Sequence, residues 1–281
     1  MPAALDAIPA APHRPAMSDA LRRGYIDTPF GQVHYRTQDS EGPWLFLFHT
    51  SPLSGAEYAG VFPHLKGRVR AVAFDNPGYG MSDPPPQPPS LHDYSAPLCA
   101  AIDHFKVDRF ALAGTHTGAS LAIYAATQLL KDRVTHLVFS GLPLKTPEES
   151  QHLRATSVMV ESAQDGSHLA EAWTRTRNRW GQTTDPRIIE WALASGLMRT
   201  DGTNMPSRAS DAFDMASALR SLTMPVLFVN GPHDPLIAQD RRAAPLVPQA
   251  KVALIDAPTG LSAPHAAPAL YAKALLDFIG A

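Results

Sequence analysis

Histidine 116 stands where a strand–turn–helix motif would place a reactive side chain. The stretch Gly114-Thr115-His116-Thr117-Gly118 matches the pattern Gly-x-Ser-x-Gly, known as a nucleophile elbow, with His116 in place of the serine. Glycines flank such a turn because it is tight and the backbone of its central residue is strained. An imidazole can attack an electrophile or relay a proton, so the residue at the tip points to nucleophilic or acid–base chemistry.

The sequence on both sides of this turn predicts the elements that hold it. Residues 109–113 are short and mostly apolar, which is typical of a buried strand, and residues 119–126 are rich in small residues, as in a helix that lies close to a sheet. The alternation of further strands with helices predicts a mostly parallel α/β sheet. The expected strands are a hairpin within 25–36 and segments at 44–48, 69–75, 134–140, 225–231 and 251–256.

The alternation stops between residues 145 and 222, where the sequence predicts helices and no convincing strand. The clearest of these helices has Asp185 as N-cap, Pro186 in its first turn and Gly196 at its C-terminal end. The expected domains are a disordered Ala/Pro-rich leader at 1–20, a core at 21–144 and 223–281, and a helical cap at 145–222.

Composition narrows the class of protein. The chain has 281 residues, enough for a sizeable core, and its formal charge of −2 gives no reason to expect nucleic acid or an acidic membrane surface as a partner. No apolar run approaches the roughly 20 residues that span a bilayer. The single cysteine, Cys99, excludes an intramolecular disulfide and is typical of a reducing compartment, so we expect a cytoplasmic protein.

Four motifs follow one another in an order that one superfamily uses. His49-Thr50-Ser51-Pro52 and residues 75–83, Asp-Asn-Pro-Gly-Tyr-Gly-Met-Ser-Asp, precede the elbow, whereas Asp234 and His265 follow it. Over residues 24–281 the chain resembles the α/β-hydrolase superfamily, whose motifs are H-G-x-P, D-x-x-G-x-G-x-S-D, the elbow, then an acid and a base. It is most similar to the small capped members, which include haloalkane dehalogenases, epoxide hydrolases and carbon–carbon bond hydrolases. The resemblance implies an α/β-hydrolase fold, with a mostly parallel eight-stranded sheet flanked by helices and a helical cap.

The resemblance also implies roles for individual residues. His265 would be the general base, oriented by Asp234. The backbone N–H groups of Ser51 and Thr117 would form an oxyanion hole, with the Thr117 hydroxyl pointing away. His49 suits a role in holding its own loop, and the tryptophans suit the core of the cap as well as substrate contact. The expected substrate-binding residues are Thr50, His49, Trp173, Trp180 and Trp191.

His116 has four interpretations at this stage, and serine chemistry through the elbow is excluded. Its neutral imidazole could attack the substrate and form an acyl-imidazole. It could instead bind a carbonyl or relay a proton while His265 and Asp234 act as a base dyad. It could hold a metal ion together with His265, although no compact ligand spacing supports this. Finally, the site could be inactive and bind a ligand only.

Two physical consequences follow for the first two interpretations. Two imidazoles in contact disfavour each other's charge, and Asp234 would favour the charge on His265, so His116 is expected to be the neutral member of the pair. An imidazole is also much larger than a hydroxymethyl group. We therefore expect a pocket that cannot seat an ester in the pose of serine attack.

The sequence thus predicts an enzyme that acts on a small molecule and needs no cofactor or metal. The favoured function is a hydrolase for a carbonyl-containing substrate (an ester, a thioester or a carbon–carbon bond) with an atypical site of His116, Asp234 and His265. The alternatives are a lyase, isomerase or cofactor-free oxygenase that uses the His265–Asp234 dyad, and an inactive ligand-binding protein. A homo-oligomer is compatible with the sequence.

Overall fold

The computed structural model describes residues 21–156, 162–182, 184–198, 205–257 and 262–281, so the expected leader lies outside the described residues. Eight strands form one sheet in the order β1-β2-β4-β3-β5-β6-β7-β8. The strands are β1 (Arg22–Thr28), β2 (Gly31–Thr37), β3 (Trp44–Phe48), β4 (Arg70–Phe74), β5 (Phe110–Thr115), β6 (Val134–Ser140), β7 (Val226–Asn230) and β8 (Lys251–Leu254).

The sheet is mostly parallel. Strands β1 and β2 form an antiparallel hairpin, and β2 pairs antiparallel with β4. All pairings from β4 through β3 and β5 to β8 are parallel. The predicted eight-stranded α/β-hydrolase architecture is therefore confirmed.

Helices connect the strands. They are α1 (Phe62–Leu65), α2 (Leu91–Asp103), α3 (Thr117–Tyr124), α4 (Pro147–Thr156), α5 (Ser167–Trp180), α6 (Pro186–Leu197), α7 (Met205–Ala209), α8 (Met215–Arg220), α9 (Ile237–Ala243), α10 (Ala263–Ala266) and α11 (Pro268–Ile279). The segment between β3 and β4 contains a 3-10 turn, Gly55–Tyr58, and the short helix α1.

The central strands are buried on both faces, which explains why they are apolar without alternation. Phe46 of β3 pairs with Val72 of β4 and Leu112 of β5, and all three lie in the larger of two apolar clusters. Their neighbours Leu45 and Ala111 lie in the second cluster, on the opposite face. This rigid sheet holds the loops at the carboxyl ends of its strands.

The segment between β6 and β7 contains helices α4 to α8, and none of its described residues forms a strand. Asp185 caps α6 as predicted, because its side chain accepts a hydrogen bond from the backbone N–H of Arg187 at 2.9 Å. The helix continues one residue past Gly196, to Leu197. Helix α5 packs against α6.

Candidate active site

His116 occupies a strained turn between β5 and α3. Its φ and ψ angles are 48° and −114°, and a positive φ is uncommon for a residue that bears a side chain. The flanking glycines permit this turn. A Cβ on Gly114 would lie 2.3 Å from the carbonyl oxygen of Gly118, and one on Gly118 would lie 2.1 Å from that of Phe48. The predicted elbow geometry is therefore present around His116.

The imidazole of His116 pairs directly with Asp234, which follows β7. Nε2 of His116 and Oδ2 of Asp234 are 2.8 Å apart, the Asp234 side chain is fully buried, and that of His116 is 17% exposed. A carboxylate can only accept, so Nε2 carries a proton and donates it. The second ring nitrogen, Nδ1, has no hydrogen-bond partner among the residues that the structure describes. Nδ1 is consequently the nitrogen that is left for chemistry.

This pairing sets the charge of both groups. Burial works against a charged imidazole, but the carboxylate of Asp234 outweighs it and the pKa of His116 is raised above its ordinary 6.5. Burial likewise opposes the charge of Asp234, yet the charge of His116 and their hydrogen bond hold the pKa of Asp234 below 3.8. The two side chains thus form an imidazolium–carboxylate pair over a wider pH range than either isolated group would suggest.

A second buried carboxyl, that of Asp240, holds the backbone next to the His116 ring. Asp240 on α9 accepts hydrogen bonds from the backbone N–H groups of Gly141 and Leu142, at 2.9 and 2.7 Å, and from the side-chain amide of Asn230 at 2.9 Å. Burial raises the pKa of Asp240 to about 6. A Cβ on Gly141 would lie 2.4 Å from Cδ2 of His116, so Asp240 fixes the backbone against which the imidazole rests.

His265 does not have the expected partner. Asp234 bonds to His116, and no hydrogen bond of the His265 side chain is found within the described part of the chain. The His265 ring instead stacks on Trp191 of α6, with ring centroids 4.9 Å apart and planes at 12°. Burial lowers the pKa of His265. The expectation that His116 is the neutral imidazole and His265 the charged one is therefore wrong, because the longer His116 side chain itself reaches the acid.

The loop after β3 differs from the expected oxyanion hole in one contact. The backbone N–H of Ser51 donates to Oγ1 of Thr117 at 2.7 Å, so the Thr117 hydroxyl points toward the loop and not away from it. The backbone N–H of Thr117 opens α3 and has no acceptor within the helix. The Ser51 hydroxyl is buried without a partner among the described residues. An oxyanion at Ser51 would have to displace the Thr117 hydroxyl.

His49 holds this loop. It is fully buried, its Nδ1–H donates to the carbonyl of Thr50 at 2.8 Å, and its Nε2 accepts from the backbone N–H of Asn76 at 2.7 Å. Burial lowers the pKa of His49 to about 4, so it is neutral. Both ring nitrogens of His49 thus have partners within the protein, and its expected contact with a substrate stays a prediction. Thr50 is buried in the same loop, and its contact with a substrate stays a prediction.

The sequence interpretation missed Glu57, a buried carboxyl of the 3-10 turn Gly55–Tyr58. Its side chain accepts from the backbone N–H of Thr50 at 2.8 Å and from the hydroxyl of Ser262. One signal was available in the sequence: Glu57 is a lone carboxyl among small and apolar residues, between Ala56 and Tyr58. No comparable signal marks Asp240, which lies among polar residues on α9.

The three tryptophans of the segment 145–222 differ in position. Trp191 contacts His265 and therefore lies at the site. Trp173 and Trp180 are half-buried on α5, and none of the described ring contacts joins either of them to a site residue. Of the three tryptophans, Trp191 is the one that the structure places against a candidate site residue.

No three or more metal-ligating side chains cluster among the described residues, and none of the helices described there is long and apolar enough to cross a membrane. The candidate site thus comprises the His116–Asp234 pair at the elbow, His265 stacked on Trp191, and the loop after β3.

Comparison with known proteins supports the fold. The family model for the alpha/beta hydrolase fold matches residues 43–257, which include the loop after β3, the elbow and Asp234. The chain belongs to the α/β-hydrolase fold family. His265 lies beyond the matched range, on α10, and the hydrogen bond between Ser262 and Glu57 joins the start of that helix to the turn that follows β3.

The individual relatives share about a quarter of their residues with this chain or fewer. Haloalkane dehalogenase 2 of Mycobacterium bovis is 26% identical over 139 residues, and the chain spans about half the length of that relative, 48%. The 2-(acetamidomethylene)succinate hydrolase of Mesorhizobium japonicum is 25% identical over 262 residues, covering 87% of this chain and 90% of the relative. The enol-lactonase of Burkholderia xenovorans superimposes with a TM-score of 0.74 at 18% identity, over 92% of this chain and all of that one, and supports the fold alone.

Proposed function

We propose that this α/β-hydrolase hydrolyses a small carbonyl compound with His116 and Asp234 as a charged dyad and His265 as the base. The observation that carries the proposal is the 2.8 Å hydrogen bond between His116 and Asp234 at the tip of the elbow. The curated relatives named above include a hydrolase that the chain matches over most of its length, which supports hydrolysis as the class of reaction.

The two imidazoles have different tasks: His116 is the hydrogen-bond donor to the substrate and His265 carries the proton. Their surroundings push their pKa values apart, up for His116 and down for His265, and such a pair marks an acid and a base. Nδ1–H of the His116 imidazolium would donate a hydrogen bond to the substrate carbonyl oxygen and stabilise the oxyanion that forms there. This donor takes over from the Ser51 N–H, which Thr117 occupies.

Water would be the nucleophile. His265 takes a proton from water as the water oxygen attacks the carbonyl carbon. The oxyanion of the resulting tetrahedral intermediate accepts the hydrogen bond from Nδ1–H of His116. Collapse of that intermediate breaks the bond to the leaving group, and the proton on His265 passes to that group. The raised pKa of His116 favours this scheme over direct attack, because an imidazolium has no lone pair on Nδ1 for attack on the substrate.

The remaining assignments are part of the same proposal. The helices of residues 145–222 are proposed as a cap, because Trp191 of α6 lies on the ring of His265. An ester, a thioester or a carbon–carbon bond next to a carbonyl fits the chemistry. We propose a cytoplasmic location from the single cysteine.

The test is turnover by purified protein of a panel containing p-nitrophenyl acetate, an acyl thioester, an enol lactone and a β-diketone. His116→Ala and Asp234→Asn are expected to lower kcat by at least about 100-fold, in line with the loss of an oxyanion donor. His64→Ala and Asp132→Asn change exposed residues of the same types and are the matched controls.

Two measurements separate the alternatives. Reaction in ¹⁸O-labelled water places label in the product of a hydrolase and none in that of a lyase or isomerase. Intact-mass analysis during turnover detects an acyl adduct if His116 is the nucleophile, and we expect none. Normal turnover by His116→Ala, or tight retention of a panel compound without conversion, would contradict the proposal.

A further inference from the structure

Glu57 bridges two loops of the site that are distant in sequence. Its side chain is buried, with 1% of its surface exposed. Oε2 accepts the backbone N–H of Thr50 at 2.8 Å, and Oε1 accepts the hydroxyl of Ser262, 205 residues further along the chain. Both carboxyl oxygens are thus used, one on each loop.

The two loops carry groups that the proposed reaction uses. Thr50 precedes Ser51, whose N–H bonds to Thr117 next to the elbow tip. Ser262 is the N-cap residue of α10, and its carbonyl accepts the backbone N–H of His265 at 3.0 Å. Glu57 therefore fixes the start of the short helix that bears His265 against the loop beside the elbow.

The charged and titratable groups around Glu57 are few. His116 and Asp234 act on it through their charges, and the hydroxyls of Tyr58 and Tyr271 are close enough to be affected by its charge. Burial raises the pKa of Glu57 to about 7, against the opposing effect of the hydrogen bonds from Ser262 and Thr50. The carboxyl consequently changes its charge near neutral pH, at a position where its two oxygens join the two loops.

We propose that Glu57 is a positioning residue that holds the His265 helix against the oxyanion loop and, when ionised, stabilises the imidazolium of His116. The effect on turnover rests on the function proposed above, whereas the effect on the charge of His116 does not. Glu57 touches no substrate in this proposal. It acts through Ser262 on the position of the base and through its charge on the acid.

Glu57→Gln tests the electrostatic half. Glutamine keeps the shape, its amide oxygen can accept from Thr50, and its NH₂ group can donate to the Ser262 oxygen, so the bridge is retained without the charge. We expect NMR titration of ¹⁵N-labelled histidines to show the pKa of His116 lowered by about half a unit, a loss of about three-fold in the protonated population at alkaline pH. Glu190→Gln, on the exposed face of α6, is the matched control and is expected to leave the titration unchanged.

Ser262→Ala tests the positioning half and keeps the proposal falsifiable if Glu57→Gln does not fold. It removes the hydrogen bond from the His265 side while leaving the carboxyl in place. We expect kcat to fall about ten-fold with little change in KM, since the hydrogen bond that joins Ser262 to the Glu57 carboxyl is lost, and the His116 titration to stay close to that of the wild type.

The outcomes are distinct. A wild-type titration of His116 and an unchanged pH profile of kcat in Glu57→Gln would reduce Glu57 to a structural role and overturn the electrostatic half. Unchanged kcat in Ser262→Ala would overturn the bridge. If the protein hydrolyses no panel compound, the proposed function fails, but the titration of His116 in Glu57→Gln still decides the electrostatic claim. The stack of His265 on Trp191, followed through Trp fluorescence in Ser262→Ala, then decides the positional claim: a wild-type spectrum contradicts it.

Discussion

Replacing Gly141 with alanine should break the His116–Asp234 pair without altering any ionisable group. Gly141 follows β6 with φ of +70°, and its ideal Cβ would lie 2.4 Å from Cδ2 and 2.8 Å from Nε2 of His116, and 3.2 Å from Oδ1 of Asp234. Ordinary contact begins at 3.4 Å, so the imidazole would have to move by about 1 Å. Such a shift is enough to break the present 2.8 Å hydrogen bond to Asp234.

The magnitude has two parts. A side chain at positive φ costs about 1–2 kcal/mol, because Cβ approaches the following carbonyl oxygen. Loss of a hydrogen bond between charged groups costs about 1.5–3 kcal/mol. We therefore expect Gly141→Ala to lower the free energy of unfolding by about 2.5–5 kcal/mol at pH 6, where His116 is charged.

Comparison with Gly67→Ala separates the cost of the lost hydrogen bond from the backbone cost. Gly67 has φ of +73° and no heavy atom within 4 Å of its ideal Cβ, so its substitution has the backbone cost alone. Urea denaturation at pH 6 should show a loss about 1.5–3 kcal/mol larger for Gly141→Ala than for Gly67→Ala. NMR titration should show a lowered His116 pKa in the former only. Equal losses of stability with an unchanged His116 titration would refute the reasoning.

Two further predictions concern Glu57 and the tip of the elbow. The pKa of Glu57, raised from 4.5 to about 7, means that the folded state resists ionisation, so its contribution to stability declines as the pH rises from about 4.5 to about 7, by up to about 3 kcal/mol. Glu57→Gln should lack that decline, which urea unfolding of both proteins at pH 5 and pH 8 measures. An equal change in the free energy of unfolding between the two pH values would contradict the prediction. His116→Ser releases Asp234 but should not gain serine-hydrolase chemistry, because the stack on Trp191 still holds the His265 ring away from Asp234. Labelling of Ser at this position by a fluorophosphonate, detected by intact mass, would show that a working triad can form.

The position of the site was predictable from the sequence because it follows from chain order. His116, Asp234 and His265 each follow a strand of the parallel part of the sheet, and the carboxyl ends of parallel strands meet at one edge. The apolar runs and Asp185 likewise marked strands and a helix start that the structure contains.

The partners within the site were not predictable in the same way. Which histidine reaches Asp234 depends on side-chain length: an imidazole at the elbow tip extends into the space that a hydroxymethyl group would leave for the base, and takes the acid for itself. The Ser51–Thr117 bond and the Glu57–Ser262 bridge join positions 66 and 205 residues apart. Only the folded arrangement, and no local pattern, brings those pairs together.

The central claim is that Asp234 serves His116 and not His265, and an NMR titration of the histidine rings in wild type and Asp234→Asn tests it most directly. In the wild type, His116 should titrate above 6.5 and His265 below it. Asp234→Asn should lower the pKa of His116 and leave that of His265 unchanged, while Asp132→Asn should change neither. A fall in the pKa of His265, with His116 unaffected, would contradict the account.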